Sequence, residues 1–413
     1  MAEPIVVDLT TYTYGGECMG RLADGRAVFV PYCLPGERAE IELVEEKRGY
    51  ARGKLIRILK QSPDRIQPRC PHFGECGGCH YQHMDYPAQL EAKRAVVRDQ
   101  LERIGGFKGV AVDAVVPSPD IWNYRNTVQF HLSSAGQVGF QGWGTRTVVP
   151  VSECHLPLPV INDLWPQFDF EAGGSTERVE IRAGSGDELL LVLESNGGEP
   201  PEFSVDIPLS AVRISPAGSM VLAGDDYLVM EANGQPFKVS AESFFQVNIP
   251  QAEAMIRHLE ENLPLTRSTT LLDLYSGVGL FSRFFAGKAG RTVAVELSPA
   301  ACEDYAVNLD ETDSVELYIG AVEEVLPALK LHGGTAIVDP PRAGLERAAL
   351  DALAQAHPET IAYVSCDPST LARDLKRLVA AGYRLQRVTP FDMFPQTYHV
   401  ECIAFLRFTG NQK

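Results

Sequence analysis

The sequence predicts an α/β protein whose residues 244–413 form a doubly wound, mostly parallel sheet of Rossmann-like type, preceded by two β-rich units. Three observations lead there. From about residue 244, short apolar runs alternate with helical segments, the rhythm of strand–helix–strand units. One of these runs, TTLLDLY, passes into the turn SGVG and then a helix start, the arrangement that opens a nucleotide-type ligand crevice. Ahead of residue 244, apolar runs are broken by glycine and proline and few are helical in period, as in antiparallel β-structure.

Taken in order, residues 1–60 contain IVVDL, AVFVPYCLPGE, AEIELVEEK and ARGKLIRIL, read as strands, with turns at GG 15–16, DG 24–25 and PG 35–36. A unit of this size suggests a small barrel of OB type, a common nucleic-acid platform. A β-rich central unit spans 61–243. It opens with the proline-rich junction QSPDRIQPRC and the stretch CPHFGECGGC, residues 70–79. A helix follows over 88–106, stopped by Gly105 and Gly106. Strand-like runs fill 110–240, with one more cysteine, Cys154, in VSECHLPLPVIN. In 244–413 the strands are TTLLDLY, RTVAVEL, GTAIVDPP, TIAYVSCDP and VECIAFLRF, separated by helices such as STLARDLKRLVAAG.

The totals restrict function. The 413 residues carry a net charge of −17, yet residues 1–150 hold 18 Lys+Arg against 17 Asp+Glu. The acidity therefore lies in the C-terminal part, and nucleic acid would dock on the first part, for example at Arg125 in NYRNTVQFH. MAEPIVVDLT has neither a basic nor an apolar leader region, and no apolar run suggests a membrane span. The expected compartment is the cytosol, with no membrane contact and no obligate protein partner. Thiols stay reduced there, so nine cysteines argue for metal or catalytic roles rather than a disulfide framework.

In LLDLYSGVGLFS, Gly277 and Gly279 permit a tight turn and close approach to a ligand, although Ser282 stands where a third glycine would complete the dinucleotide fingerprint. Glu296 ends the next strand, where a carboxylate suits the hydroxyls of a ribose. A dinucleotide or S-adenosylmethionine (SAM) fits. The absence of a second nucleotide-binding half and the chemistry downstream favour SAM.

Three strand ends carry that chemistry. Asp339 closes IVDPPRAG, Cys366 lies in YVSCDPSTLARD just ahead of a helix, and Glu401 begins the last strand after DMFPQTYHV. The position of Cys366 predicts a stabilised thiolate, with Asp367 opposing it locally. A thiolate beside SAM answers a specific difficulty: C5 of a pyrimidine is a poor nucleophile until a thiolate adds to C6. Cys366 is then the nucleophile, Glu401 the base that removes the C5 proton, and Asp339 a partner for the base edge or the methionine amine.

SFFQVN, DLYSGVGLFS, DPPRAG, SCDPSTLARD and FPQTYHVE occur in this order over nearly the whole chain. With them the sequence resembles the SAM-dependent RNA uracil-C5 methyltransferases, which make 5-methyluridine in tRNA or large-subunit rRNA. The resemblance implies Cys366 as nucleophile, Glu401 as proton acceptor, and a SAM pocket lined by Gln246, Tyr275, Gly277, Glu296 and Asp339 in a methyltransferase domain. It likens the first unit to the TRAM domain, a small RNA-binding barrel. The family's ribosomal-RNA members hold a 4Fe–4S cluster on three spaced cysteines and a distant fourth. By that likeness Cys70, Cys76, Cys79 and Cys154 are ligands, and 23S rRNA is favoured over tRNA as partner; chemistry alone would allow zinc. Leu280 and Ala321 depart from residues common in the family. Two other readings remain: methylation of a tRNA, and an iron–sulfur RNA-binding protein without catalysis.

Overall fold

The computed structural model describes residues 3–199 and 207–410. Its first unit is a closed five-stranded barrel, ordered β1-β2-β3-β5-β4. The strands are β1 Ile5–Tyr12, β2 Glu17–Arg21, β3 Ala27–Pro31, β4 Arg38–Glu46 and β5 Tyr50–Lys60. Alternate residues Val7, Leu9, Val28, Val30, Ala39 and Ile41 fill its interior. The reading of the sequence lacks β2: in ECMGR the buried positions are Cys18 and Gly20 while the larger apolar Met19 faces the other way, so its period is masked.

Next comes α1, Tyr86–Gln100, capped by Asp85 and continued by a π-helical turn to Gly105, with Gly106 left-handed beyond it. The central unit is a seven-stranded mixed sheet ordered β12-β11-β10-β9-β6-β7-β8. Its strands are β6 Thr127–Leu132, β7 Val138–Gln141, β8 Val148–Pro150, β9 Thr176–Ala183, β10 Leu189–Ser195, β11 Ser210–Ser215 and β12 Gly218–Ala223, with α2 at Pro159–Leu164. A hairpin, β13 Tyr227–Ala232 and β14 Gln235–Ser240, then shares an apolar core with the catalytic body through Leu228, Met230 and Phe237.

The catalytic body alternates α3 Ile249–Asn262, β15 Thr270–Leu274, α4 Leu280–Phe285, β16 Arg291–Glu296, α5 Pro299–Asn308, β17 Val315–Ile319, α6 Val322–Ala328, β18 Thr335–Val338, α7 Arg347–Ala356, β19 Thr360–Ser365, α8 Pro368–Ala380, β20 Tyr383–Phe391 and β21 Glu401–Phe408. The sheet order is β17-β16-β15-β18-β19-β21-β20, parallel except for β21, which is antiparallel to both neighbours. Alternation splits the core: Leu272 and Leu274 face α1, α7 and α8, while Leu271 faces α3 and α4. Val97 and Leu101 bring the helix predicted over 88–106 into that first core. A fully buried ion pair, Lys93 with Asp392, fastens α1 to the end of β20. Lys93 also donates to the Phe394 carbonyl at 2.9 Å. None of the described helices is long and apolar enough to cross a membrane.

Candidate active site

The topology gathers the residues singled out in the sequence at one edge of the sheet. Tyr275 and Gly277 follow β15, Glu296 ends β16, Asp339 follows β18 and Cys366 follows β19. Because β21 runs the other way, Glu401 at its start joins them. Ser365 pairs with Cys402, and one further step along that ladder sets Cys366 across from Glu401. Order reversal between β15 and β18 puts the ligand crevice of a doubly wound sheet here.

On the cofactor side, the loop after β15 is held in an uncommon backbone. Tyr275 has φ 63°, Gly277 55° and Gly279 92°. A Cβ on Gly279 would lie 2.5 Å from Leu309 and 3.0 Å from Tyr305, whereas one on Gly277 would meet nothing within 4 Å. The Gly277 side is therefore open. Glu296 accepts the Gly277 N–H at 2.8 Å on one oxygen and those of Leu297 and Ser298, both at 2.8 Å, on the other. Leu297 and Ile319 stand 64% and 68% exposed at adjacent strand ends, an apolar pair the sequence reading did not single out. Its signal was an apolar residue straight after a strand-end acid. Gln246 is half-buried and its carbonyl accepts from Asn126 at 2.9 Å. Leu280 packs into the core beside Phe281, and Ala321 precedes α6. The Glu296 carboxylate, the open glycine and the exposed apolar pair fit an adenosine ligand.

On the reacting side, carboxylates crowd together. Asp273, fully buried, takes the Ser282 hydroxyl at 2.6 Å on one oxygen and has no partner on the other among the described residues. Burial pushes its pKa up to about 7. Burial, then the neighbouring Asp273, push Asp339 up as well. Glu401 is 5% exposed and raised well above the carboxylate range by burial and then Asp339, against Arg342. The thiol of Cys366 is pushed up to about 12, by burial first and then by Glu401, with Arg342 opposing and Asp339 and Asp367 adding to the rise. This corrects the expectation of a stabilised thiolate. The amides that open α8 are taken by Asp367, which accepts from Ser369 at 2.8 Å and Thr370 at 3.1 Å. Carboxylates outweigh what remains of the helix's field. Arg342, in the loop after β18, is the cation the sequence reading missed, and α8 holds that loop through Thr370 to the Arg342 carbonyl at 3.1 Å.

The segment leading into Glu401 is held from two sides. The Gln89 side chain of α1 donates to Gln396 Oε1 and accepts the Gln396 backbone N–H, both at 3.0 Å. The Gln396 backbone carbonyl accepts the N–H groups of His80 and Tyr81 at 2.9 and 3.0 Å. His80 also packs edge-on against Tyr398, with ring centroids 4.6 Å apart.

His80 follows Cys79, and so links the catalytic segment to a second site. Cys70, Cys76, Cys79 and Cys154 line one cavity of about 240 Å³. All are free thiols. The Gly78 N–H points at the Cys76 sulfur at 3.4 Å, and the Cys70 N–H is held by Gln82 at 3.0 Å. His72 ties this loop to the Ser152 N–H at 3.0 Å. Arg125 also lines the cavity, half-buried, with its buried Nε unpartnered among the described residues. Among the described residues, no three His, Cys, Asp or Glu side chains are clustered tightly enough to hold a single metal ion.

The chain matches the tRNA (uracil-5-)-methyltransferase family over residues 224–408 and the TRAM domain over residues 5–56. It is 35% identical to an uncharacterised RNA methyltransferase of Nostoc sp., with 100% of this chain and 98% of the relative aligned. It is 34% identical to one of Bacillus cereus, covering 93% and 92% respectively. Among solved structures it is similar to the tRNA (uracil-54, C5)-methyltransferase of Pyrococcus abyssi in complex with S-adenosyl-L-homocysteine. The TM-score is 0.74 and the identity 27%, over 98% of this chain and 100% of that one.

Proposed function

We propose, since this chain belongs to the RNA (uracil-5-)-methyltransferase family and is a SAM-dependent enzyme of that kind, that it methylates C5 of a uridine through a covalent adduct between Cys366 and C6. The observation that carries this reading is the placement of Cys366 across from Glu401 at the mouth of the SAM crevice. The Cys366 sulfur forms a bond to C6 and the C5=C6 electron pair moves towards the C4 oxygen. SAM, when bound, supplies the methyl group on a sulfonium. C5, now nucleophilic, takes that methyl as the sulfonium–methyl bond breaks and its electron pair stays on that sulfur, and Glu401 removes the C5 proton. The C5=C6 bond re-forms as the C6–S bond breaks and Cys366 leaves. Gln246, Tyr275, Gly277, Glu296 and Asp339 would hold the cofactor, with Leu297 and Ile319 flanking its adenine. Burial raises the pKa of both Glu401 and Asp339 in the free protein, and the positive charges of SAM would favour their carboxylate forms.

Cys70, Cys76, Cys79 and Cys154 are proposed to hold a 4Fe–4S cluster. Convergence of four soft thiol donors on one cavity of about 240 Å³ supports it. The role proposed is structural, because the loop that carries Cys79 also carries His80, which buttresses the segment before Glu401. Iron and acid-labile sulfide in anaerobically purified protein, and their loss in Cys154→Ser, test this; zinc without sulfide would refute it.

RNA docks on the barrel and central unit, in the cytosol, and 23S rRNA is the favoured substrate on account of the cysteine set. The second reading, a tRNA uridine, is favoured by the likeness to the Pyrococcus abyssi enzyme. Incubating unmodified tRNA and 23S rRNA separately with protein and SAM, then measuring 5-methyluridine by mass spectrometry, decides between them. Product in neither pool would overturn both.

A further inference from the structure

The turn between β1 and β2 carries the barrel into the catalytic crevice. Tyr14 donates its phenol O–H to Asp367 Oδ2 at 2.7 Å, from 353 positions away in the chain. Its ring meets Tyr398 edge-on, with centroids 5.8 Å apart and planes at 89°. Gly16, at φ +86°, sits so close that a Cβ there would be 3.1 Å from the Tyr398 ring and 3.2 Å from His80 Cβ. The turn is thus seated flush against the catalytic segment.

Asp367 directly follows Cys366 and divides its two oxygens between two units. Oδ1 serves the helix, accepting from the Ser369 N–H at 2.8 Å, the Ser369 hydroxyl at 2.5 Å and the Thr370 N–H at 3.1 Å. Oδ2 has Tyr14 as its donor among the described residues. The charged groups facing the Cys366 sulfur are Glu401, Asp339, Asp367 and Arg342. Of the three carboxylates, only Asp367 is bound by a side chain of the barrel.

We propose that Tyr14 is a positioning residue of the catalytic centre, whose hydroxyl holds the Asp367 carboxylate and blunts its charge beside the Cys366 sulfur. The barrel is then a working part of the reaction centre as well as an RNA platform. This rests on the reading of Cys366 as nucleophile. The physical basis is that a charge-assisted hydrogen bond disperses an anion's charge into its donor, and a less concentrated anion costs a neighbouring thiolate less.

The test is the rate at which iodoacetamide alkylates Cys366, followed by peptide mass spectrometry across a pH series on the full-length, RNA-free protein. Tyr14→Phe keeps the ring against Tyr398 and removes the O–H. Its Cys366 should react roughly threefold to tenfold more slowly at a given pH, as a thiol pKa rise of up to about one unit requires. Asp367→Asn still caps the helix but carries no charge, so it should react faster than wild type. Adding Tyr14→Phe to it should change nothing further. Unchanged alkylation in Tyr14→Phe would overturn the proposal. So would an equal slowing in both backgrounds, which marks a merely loosened loop. In turnover, kcat should fall while KM for RNA stays; a raised KM with unchanged kcat would make Tyr14 an RNA contact instead. If wild type forms no adduct with 5-fluorouridine RNA, the nucleophile reading fails while the alkylation rates still judge Tyr14.

Discussion

Cys366 lies one step beyond the last pair of the ladder between β19 and β21, Ser365 with Cys402, at the end where Glu401 begins β21. Two groups far apart in sequence are thereby brought to one edge of the sheet. Cys366→Ala should bind RNA and form no adduct. Glu401→Gln should lower turnover by about 10²–10⁴-fold, the usual weight of a general base, and accumulate a denaturation-resistant protein–RNA species. Gel mobility after denaturation reads both. A Glu401→Gln enzyme that turns over normally, or that forms no adduct, would remove Glu401 from the proton step.

Binding of SAM should release protons. Asp273, Asp339 and Glu401 are all raised by burial first, and then by Glu296, Asp273 and Asp339 respectively, and the ligand brings a sulfonium and an ammonium. Calorimetric titrations near pH 6 in two buffers of different ionisation enthalpy should differ by up to about one proton per chain, a linkage effect. Identical enthalpies would show that the carboxylates are already ionised.

Stability should carry the mark of Asp273. Its folded pKa is raised from 3.8 to about 7. Its contribution is therefore full below pH 3.8 and is lost as pH rises through about 7. Buried His83 and half-buried His399, lowered to about 3, act in the opposite sense and lose stability as pH falls. The informative quantity is thus a difference. The melting temperature of Asp273→Asn minus that of wild type, both ligand-free, should grow between pH 4 and pH 7 and level off above about pH 7. A gap independent of pH would refute the raised value.

Lys93 and Asp392 should be worth most when one is removed. Lys93→Met leaves a buried carboxylate alone and should cost about 3–5 kcal/mol in urea unfolding. The double variant Lys93→Met/Asp392→Leu should recover most of it. Equal losses in the single and double variants would mean that the pair is not what fastens α1 to the catalytic body.

Much of this was legible in the chain. Strand-end residues such as Asp339, Glu296 and Cys366 announce themselves by short apolar runs that stop at a reactive side chain, and alternation of strand with helix brings such ends to one edge. What stayed hidden lacks a local signature. The contact of Tyr14 with Asp367 spans 353 residues, and no period in either segment hints at it. Arg342 reads as one more loop cation until α8 fixes the loop beneath it. The ionisation of Cys366 was misjudged because a helix terminus is visible in sequence, whereas the burial that raises the thiol most, and the carboxylates Glu401 and Asp339, arise only when distant strands are brought together. β2 was missed because its inward positions are a cysteine and a glycine.

The last strand does not lie at the margin of the catalytic sheet; it is threaded between β19 and β20. During synthesis the pocket for the cofactor is complete well before β21 exists, yet β19, with Cys366 at its tip, lacks a neighbour on that side until then. The strand that flanks β19, at whose tip Cys366 lies, is also the one that carries Glu401. A chain cut short before it loses both together, so truncation yields an inert protein rather than one that captures RNA and cannot release it.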